Sequence, residues 1–283
     1  MDEACLQHRL TDAERRQFES QGFMIVPGVL PDTKVAALAE AADRIDGEWR
    51  EKRDLKAHQP LNVLDAFGMD DEFVDLLDLP ATFMKVVDIL GWHIQLYHSH
   101  LIVTPPLPSG FEPPRPRLGW HQDSGRLNVE LEGEPRSRVS LKVGFFFTST
   151  LEPNRGNFHV VPGSHKLNKL DLPNDPAADH PNAMPVCVDA GDAVFFDRRL
   201  WHSAGFNRSD VTRKVLFMGY SYRWLRPRDD MTVAHYMDGA DPIRRQLLGA
   251  SPNGGFGYTS PADEDVPLKT WLTERLGAEA VIP

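Results

Sequence analysis

The chain has 283 residues, 41% hydrophobic and 25% charged, with a formal net charge of -10. That profile belongs to a globular protein long enough to bury a core without covalent staples. The excess of acid argues against nucleic acid or an anionic membrane as the principal partner. Cys5 and Cys187 lie far apart in unlike contexts, which excludes a disulfide framework and a cysteine-type zinc site and points to a reducing, cytoplasmic setting. No apolar run is long enough to span a bilayer, and the acidic start Met1–Cys5 lacks a secretory signal pattern.

Residues 1–92 read as a mostly helical scaffold. Thr11 and Glu14 have the spacing of a capping box that opens a helix to about Gln21. Phe23–Val26 is a short strand closed by Pro27-Gly28. Asp32 caps a second helix to about Arg50, with Val35, Leu38, Ala39 and Ala42 on one face. A third helical stretch runs from Glu72 to Leu90 and breaks near Pro80.

From His93 the apolar period shortens to that of strands. His93–Val103, Ser140–Phe147, Asn157–Val161, Pro185–Val188, Ala193–Asp197 and Lys214–Tyr222 are the predicted strands. Short strands joined by long loops imply a sandwich or barrel over residues 93–226. Two loops, Leu107–Leu118 and Leu167–Pro181, are long enough to border a binding site. Residues 227–283 form a tail with helices at Asp241–Leu248 and Pro267–Leu276, separated by the glycine-rich Asn253–Gly257. The whole chain, 1–283, is expected to be one domain.

The chemistry concentrates at Gly119-Trp120-His121-Gln122-Asp123. On an extended backbone, residues two apart point to one face, so His121 and Asp123 aim an imidazole and a carboxylate at a single point. His202, in Trp201-His202-Ser203, offers a second imidazole. Two His and one carboxylate make the facial triad of non-haem Fe(II) oxygenases. Arg213 follows His202 by eleven residues at the start of a strand. If the two strands pair antiparallel, the turn returns Arg213 beside His202. A guanidinium fork there suits the far carboxylate of 2-oxoglutarate, the co-substrate that supplies electrons for oxygen activation.

Between about His98 and Tyr222 the sequence resembles the phytanoyl-CoA dioxygenase family of Fe(II)/2-oxoglutarate-dependent oxygenases. The resemblance is carried by His121-Gln122-Asp123, by Asn154-x-Gly156 with Val161-Pro162-Gly163-Ser164-His165, and by His202 with Arg213 eleven later. His98-x-x-Leu101-Ile102 before Pro105-Pro106 matches the preceding strand. It implies a double-stranded β-helix, a jelly-roll barrel with flanking helices. It also implies iron on His121, Asp123 and His202, with Arg213 on 2-oxoglutarate. Dioxygen is then the second co-substrate and a small molecule is hydroxylated. Halogenases of this fold replace the carboxylate with a small residue, so Asp123 implies hydroxylation. His100 and Ala204 stand where the founding member has a sulfur residue and a hydroxyl against the co-substrate, and Ser203 offers a substitute hydroxyl.

Other residues are weighed singly. Lys142 lies on an inner strand, where a lysine is rarely buried unpaired, and is expected to meet a carboxylate of co-substrate or substrate. His98 and His100 share a face that lines the cavity or packs the core. Trp120 and Trp201 point away from the metal side. Arg126 and Asn128 are placed to reach substrate. Two rival readings stand: a non-catalytic jelly-roll binding protein, and a cupin-like metalloenzyme that does not use 2-oxoglutarate.

Overall fold

A computed structural model describes residues 1–112 and 117–281. Residues 113–116, the centre of the Leu107–Leu118 loop, and the last two positions of the tail lie outside the described residues. The strands are β1 (Phe23–Val26), β2 (Leu61–Leu64), β3 (Ile94–Thr104), β4 (Ser140–Phe146), β5 (Phe158–Val160), β6 (Met184–Val186), β7 (Ala193–Asp197), β8 (His202–Ala204) and β9 (Arg213–Tyr222). They form two antiparallel sheets, a six-stranded one ordered β1-β7-β4-β9-β3-β2 and a three-stranded one ordered β6-β5-β8. This is the jelly-roll arrangement, with the ladders of the described residues forming two facing sheets and no closed barrel.

The central strands β7, β4 and β9 of the large sheet are buried on both faces, which explains why they read as unbroken apolar runs. Alternation along each strand sorts the side chains. Phe145, Phe195, Leu216 and Met218 point outward into a core shared with Phe18, Leu38, Ala42 and Phe83 of the helices. Phe146, Phe196, Val215 and Phe217 point inward and meet Phe158 and Val160 of the small sheet. Each such aromatic stabilises the fold by roughly 1.5–3 kcal/mol through burial.

The helices are α1 (Asp12–Gln21), α2 (Asp32–Lys52), α3 (Pro80–Leu90), α4 (Gly125–Glu130), α5 (Ala234–Met237), α6 (Pro242–Leu247) and α7 (Pro267–Leu276). The capping box at α1 forms as expected, with the Glu14 amide donating to Thr11 Oγ1 at 3.2 Å and the Thr11 amide to Glu14 Oε2 at 2.8 Å. Asp32 does not cap α2: the cap position is Pro31 and Asp32 is the first helical residue, where its charge still suits the helix N-terminus. α1 ends at Gly22, whose φ of 81° is left-handed and whose added Cβ would lie 2.5 Å from His165 Nδ1. His165 is therefore a packing residue behind the α1–β1 turn.

Candidate active site

Two turns bring the candidate ligands together. β7 does not deliver His202 at its end, as its sequence suggests. It stops at Asp197, whose buried carboxylate accepts from Arg199 Nε at 2.8 Å and Arg138 Nε at 2.7 Å. The chain then crosses to the small sheet and His202 opens β8. Consequently β8 and β9 do not pair. β8 pairs with β5, while β9 runs between β3 and β4. His202 and Arg213 face the same cavity from opposite sheets instead of along one hairpin.

His121 joins β8 directly, with backbone hydrogen bonds of 3.0 Å in both directions to His202. The alternation expected of the motif holds. Gln122 turns away and donates to the carbonyls of Leu167 and Arg199, while His121 and Asp123 face the cavity. Ser124, left-handed at φ 60°, swings the chain into α4. Asn128 on that helix donates to the Asp123 carbonyl at 2.8 Å and accepts from buried Arg198. Asn128 thus braces the loop from behind and is not among the residues that line the cavity. Arg126 is exposed and pairs with Glu130.

His121, Asp123 and His202 offer ligand atoms that all lie within 4.8 Å of one another. Nδ1 of His121 is 2.9 Å from the Gly119 carbonyl and Nδ1 of His202 is 2.8 Å from the Leu200 carbonyl. A carbonyl only accepts, so each ring keeps its proton on Nδ1 and presents a bare Nε2. Burial lowers the pKa of His202 to about 4, against the pull of Asp123, so it is neutral at physiological pH. Burial pushes the Asp123 carboxyl up, but Lys142 and His202 outweigh it and hold it below the usual carboxylate range. Asp123 Oδ1 accepts from Lys142 Nζ at 3.0 Å, while Oδ2 is buried without a partner. Lys142 therefore meets a carboxylate of the protein itself, and it also lines the cavity.

The cavity has a volume of about 460 Å³, within the usual range for small-molecule sites. Arg213 is 2% exposed. Its Nη1 donates to the Gly156 carbonyl, and Nε and Nη2 are buried without partners. No acidic side chain pairs with it among the described residues, and burial lowers its pKa to about 10. Ser203 lines the cavity, with its hydroxyl 3.5 Å from the Ala204 carbonyl. His100 lines it too, with Nε2 buried and unpartnered. His98, two residues away, is fully buried and bound to Asp229 at 2.8 Å. Trp120 and Trp201 point outward as expected, their indoles donating to Asp179 at 2.8 Å and to the Leu167 carbonyl at 3.1 Å.

Neither long loop contributes a lining residue among the described residues. The Leu167–Pro181 loop backs the outer side of the site, where Leu118 and Arg117 also bond to it. Asn62 and Arg228 also line the cavity and are exposed, and no spacing in the sequence singles them out.

Burial lowers the pKa of His100 from 6.5 to about 3, with the charges of His98, Lys142 and Arg228 adding to it. A histidine depressed in the folded state contributes stability that is complete above about pH 6.5 and lost as pH falls toward 3. At about pH 5 the loss is about 2 kcal/mol. His98, His159 and His165 are lowered as well and act in the same direction. His100→Phe should therefore flatten the fall in thermal midpoint between about pH 7 and pH 5. An unchanged pH slope would show that His100 titrates in the folded protein as it does in the unfolded chain.

The phytanoyl-CoA dioxygenase (PhyH) family model matches residues 18–215, more than two thirds of the chain. The ectoine dioxygenase of Streptomyces avermitilis is 23% identical over 242 residues, covering 75% of this chain and 79% of its own. The dioxygenase af480 of Aspergillus fumigatus is 26% identical over 277 residues, covering 93% and 83%. Among solved structures, HygX from Streptomyces hygroscopicus with nickel and 2-oxoglutarate bound superposes with a TM-score of 0.59 at 18% identity, over 77% of this chain and 90% of HygX. The match in sequence and the jelly-roll fold agree, and the chain belongs to the phytanoyl-CoA dioxygenase family of Fe(II)/2-oxoglutarate-dependent oxygenases.

Proposed function

We propose that this protein hydroxylates an unactivated C–H bond of a small metabolite or natural-product intermediate, using 2-oxoglutarate and dioxygen and releasing succinate and carbon dioxide. His121, Asp123 and His202 hold the iron, and Arg213 holds the far carboxylate of 2-oxoglutarate. We place the activity in the cytoplasm and read residues 1–283 as one domain. The bound iron and co-substrate supply the oxidising chemistry; the chain supplies position, charge and exclusion of water.

One observation carries the assignment. A fully buried arginine with no acid to pair with among the described residues shares a cavity with a His, His and Asp cluster. A buried cation without a counter-charge is costly, and the donors left over on Arg213 define what would offset it. Nε–H and Nη2–H lie on one edge of the guanidinium and match the two oxygens of a carboxylate. The metal side fits likewise. Two imidazoles present bare Nε2 atoms, and Asp123 has a buried oxygen without a partner. Lys142 steadies the other oxygen of Asp123. Ser203 and His100 line the space on either side for contacts to co-substrate or substrate.

A non-catalytic binding protein has no use for the buried Arg213 fork. A cupin-like centre would call for further His ligands, and His98 and His100 are not in the cluster. The test is an anaerobic mixture of protein, Fe(II) and 2-oxoglutarate, observed for a visible charge-transfer band, followed by a screen of small metabolites for succinate release. Absence of the band under saturating 2-oxoglutarate would overturn the assignment.

A further inference from the structure

Arg213 is not the only guanidinium lining the cavity. Arg228 lines it as well, and the register of β3 puts the two at opposite ends. Arg213 pairs with Thr104 at one end of β3, whereas the amide of Arg228 donates to the Tyr97 carbonyl at 2.8 Å near the other. Seven residues of extended strand separate those anchor points, or roughly 23 Å. The two side chains therefore reach the cavity from opposite ends of β3.

Arg228 is also held in place. Asp229, buried at 8% exposure, accepts from Nδ1 of His98, from the amides of Ser99 and Asp65, and from the Ser99 hydroxyl. That set of donors occupies the carboxylate and fixes the His98 proton on Nδ1. Nε2 of His98 is then an acceptor, and Arg228 Nη1 lies 3.4 Å from it. No carboxylate pairs with Arg228 among the described residues. Asn62, opposite Ile102 on β3, lines the cavity too, and its side chain makes no hydrogen bond within the protein among the described residues.

The charge balance of the cavity favours one kind of ligand. Its lining carries Lys142, Arg213 and Arg228 against the single carboxylate of Asp123. A divalent metal and a dianionic co-substrate offset each other, so a positive excess remains. This excess sits inside a chain whose net charge is -10. A local field of that sign draws anions into a narrow cleft.

We infer that the substrate is an anion, a small carboxylate or phosphate ester, whose charged group is bound by Arg228 while its reacting carbon faces the His121, Asp123 and His202 centre. This rests on the function proposed above and deepens it by naming a substrate class. The guanidinium edge provides two parallel donors for either oxyanion.

The experiment uses matched probes on the full chain loaded with Ni(II) and 2-oxoglutarate, which binds without turnover. N-acetyl amino acids are compared with the corresponding amides, and alkyl phosphates with the parent alcohols. Binding is read by calorimetry and by thermal shift. Wild type is expected to bind the anionic member of at least one series about tenfold to a hundredfold more tightly than its neutral partner. Arg228→Gln should erase that preference, and Arg228→Lys should restore part of it. The series that shows the preference distinguishes a carboxylate from a phosphate. No preference for the anion in either series, or a preference that survives Arg228→Gln, overturns the inference. Failure of the proposed function is read separately, as loss of the Fe(II)/2-oxoglutarate band in the same wild-type preparation.

Discussion

His202→Ala is expected to abolish iron binding and turnover while the protein stays folded, and His121→Ala should do the same. Each removes one of three donors gathered within 4.8 Å, so the loss should go well beyond the roughly 10–100-fold that follows when a group behind a ligand is removed. The folded state has its own two-sheet core and does not depend on a metal as a zinc finger does. The His202 ring packs at 5.3 Å from Phe158 and 5.1 Å from Phe196, so its removal also leaves a small cavity and lowers the thermal midpoint by several degrees. Metal content after reconstitution, with circular dichroism on the same samples, checks both halves. Full iron affinity in either variant removes that residue from the centre.

Arg213→Ala is expected to weaken 2-oxoglutarate binding by about 2–5 kcal/mol, or roughly thirtyfold to several thousandfold. Iron binding should change far less, because Arg213 makes no bond to any of the three candidate ligands. Arg213→Lys should recover only part, since an ammonium is a point charge and cannot fill the Nε and Nη2 edge. Arg213→Met gives a separate readout. A purely structural arginine would be badly missed, whereas one kept for a ligand carboxylate is a burden to the ligand-free fold, and its replacement by a similar apolar volume should cost that fold little. The saturation curve for 2-oxoglutarate and the thermal midpoint without it are the two measurements. An unchanged saturation curve would assign the clamp to another residue.

Much of this was legible because spacing survives folding when it is local. His121 and Asp123 face one way because they are two apart on extended backbone, and their outward neighbours Gln122 and Trp120 confirm the alternation. The inward and outward halves of β4, β7 and β9 follow from the same period. What failed was inference about pairing. His202 and Arg213 are eleven apart and read as a hairpin, yet the turn at Asp197–Leu200 moves His202 to the other sheet. Local sequence records where a strand is, not which sheet receives it. β2 was missed because four residues with exposed Asn62 and Leu64 carry little apolar signal. Arg228 was missed because its link to the cavity is the His98–Asp229 bond, formed across 131 residues. Lys142 was placed on the inner face, but its partner was not foreseen, since Asp123 was already counted as a ligand.

That last pair has a practical consequence. The Lys142 ammonium gives the Asp123 carboxylate a counter-charge of its own, 3.0 Å away. Taking up a metal then adds a partner at the free Oδ2 while Lys142 keeps Oδ1, and is not the neutralisation of a bare buried anion. The protein is then expected to stay folded when a chelator strips it, because the buried Asp123 carboxylate keeps its counter-charge. It can then be refilled with a different divalent ion, so the same preparation serves for spectroscopy with one metal and turnover with another.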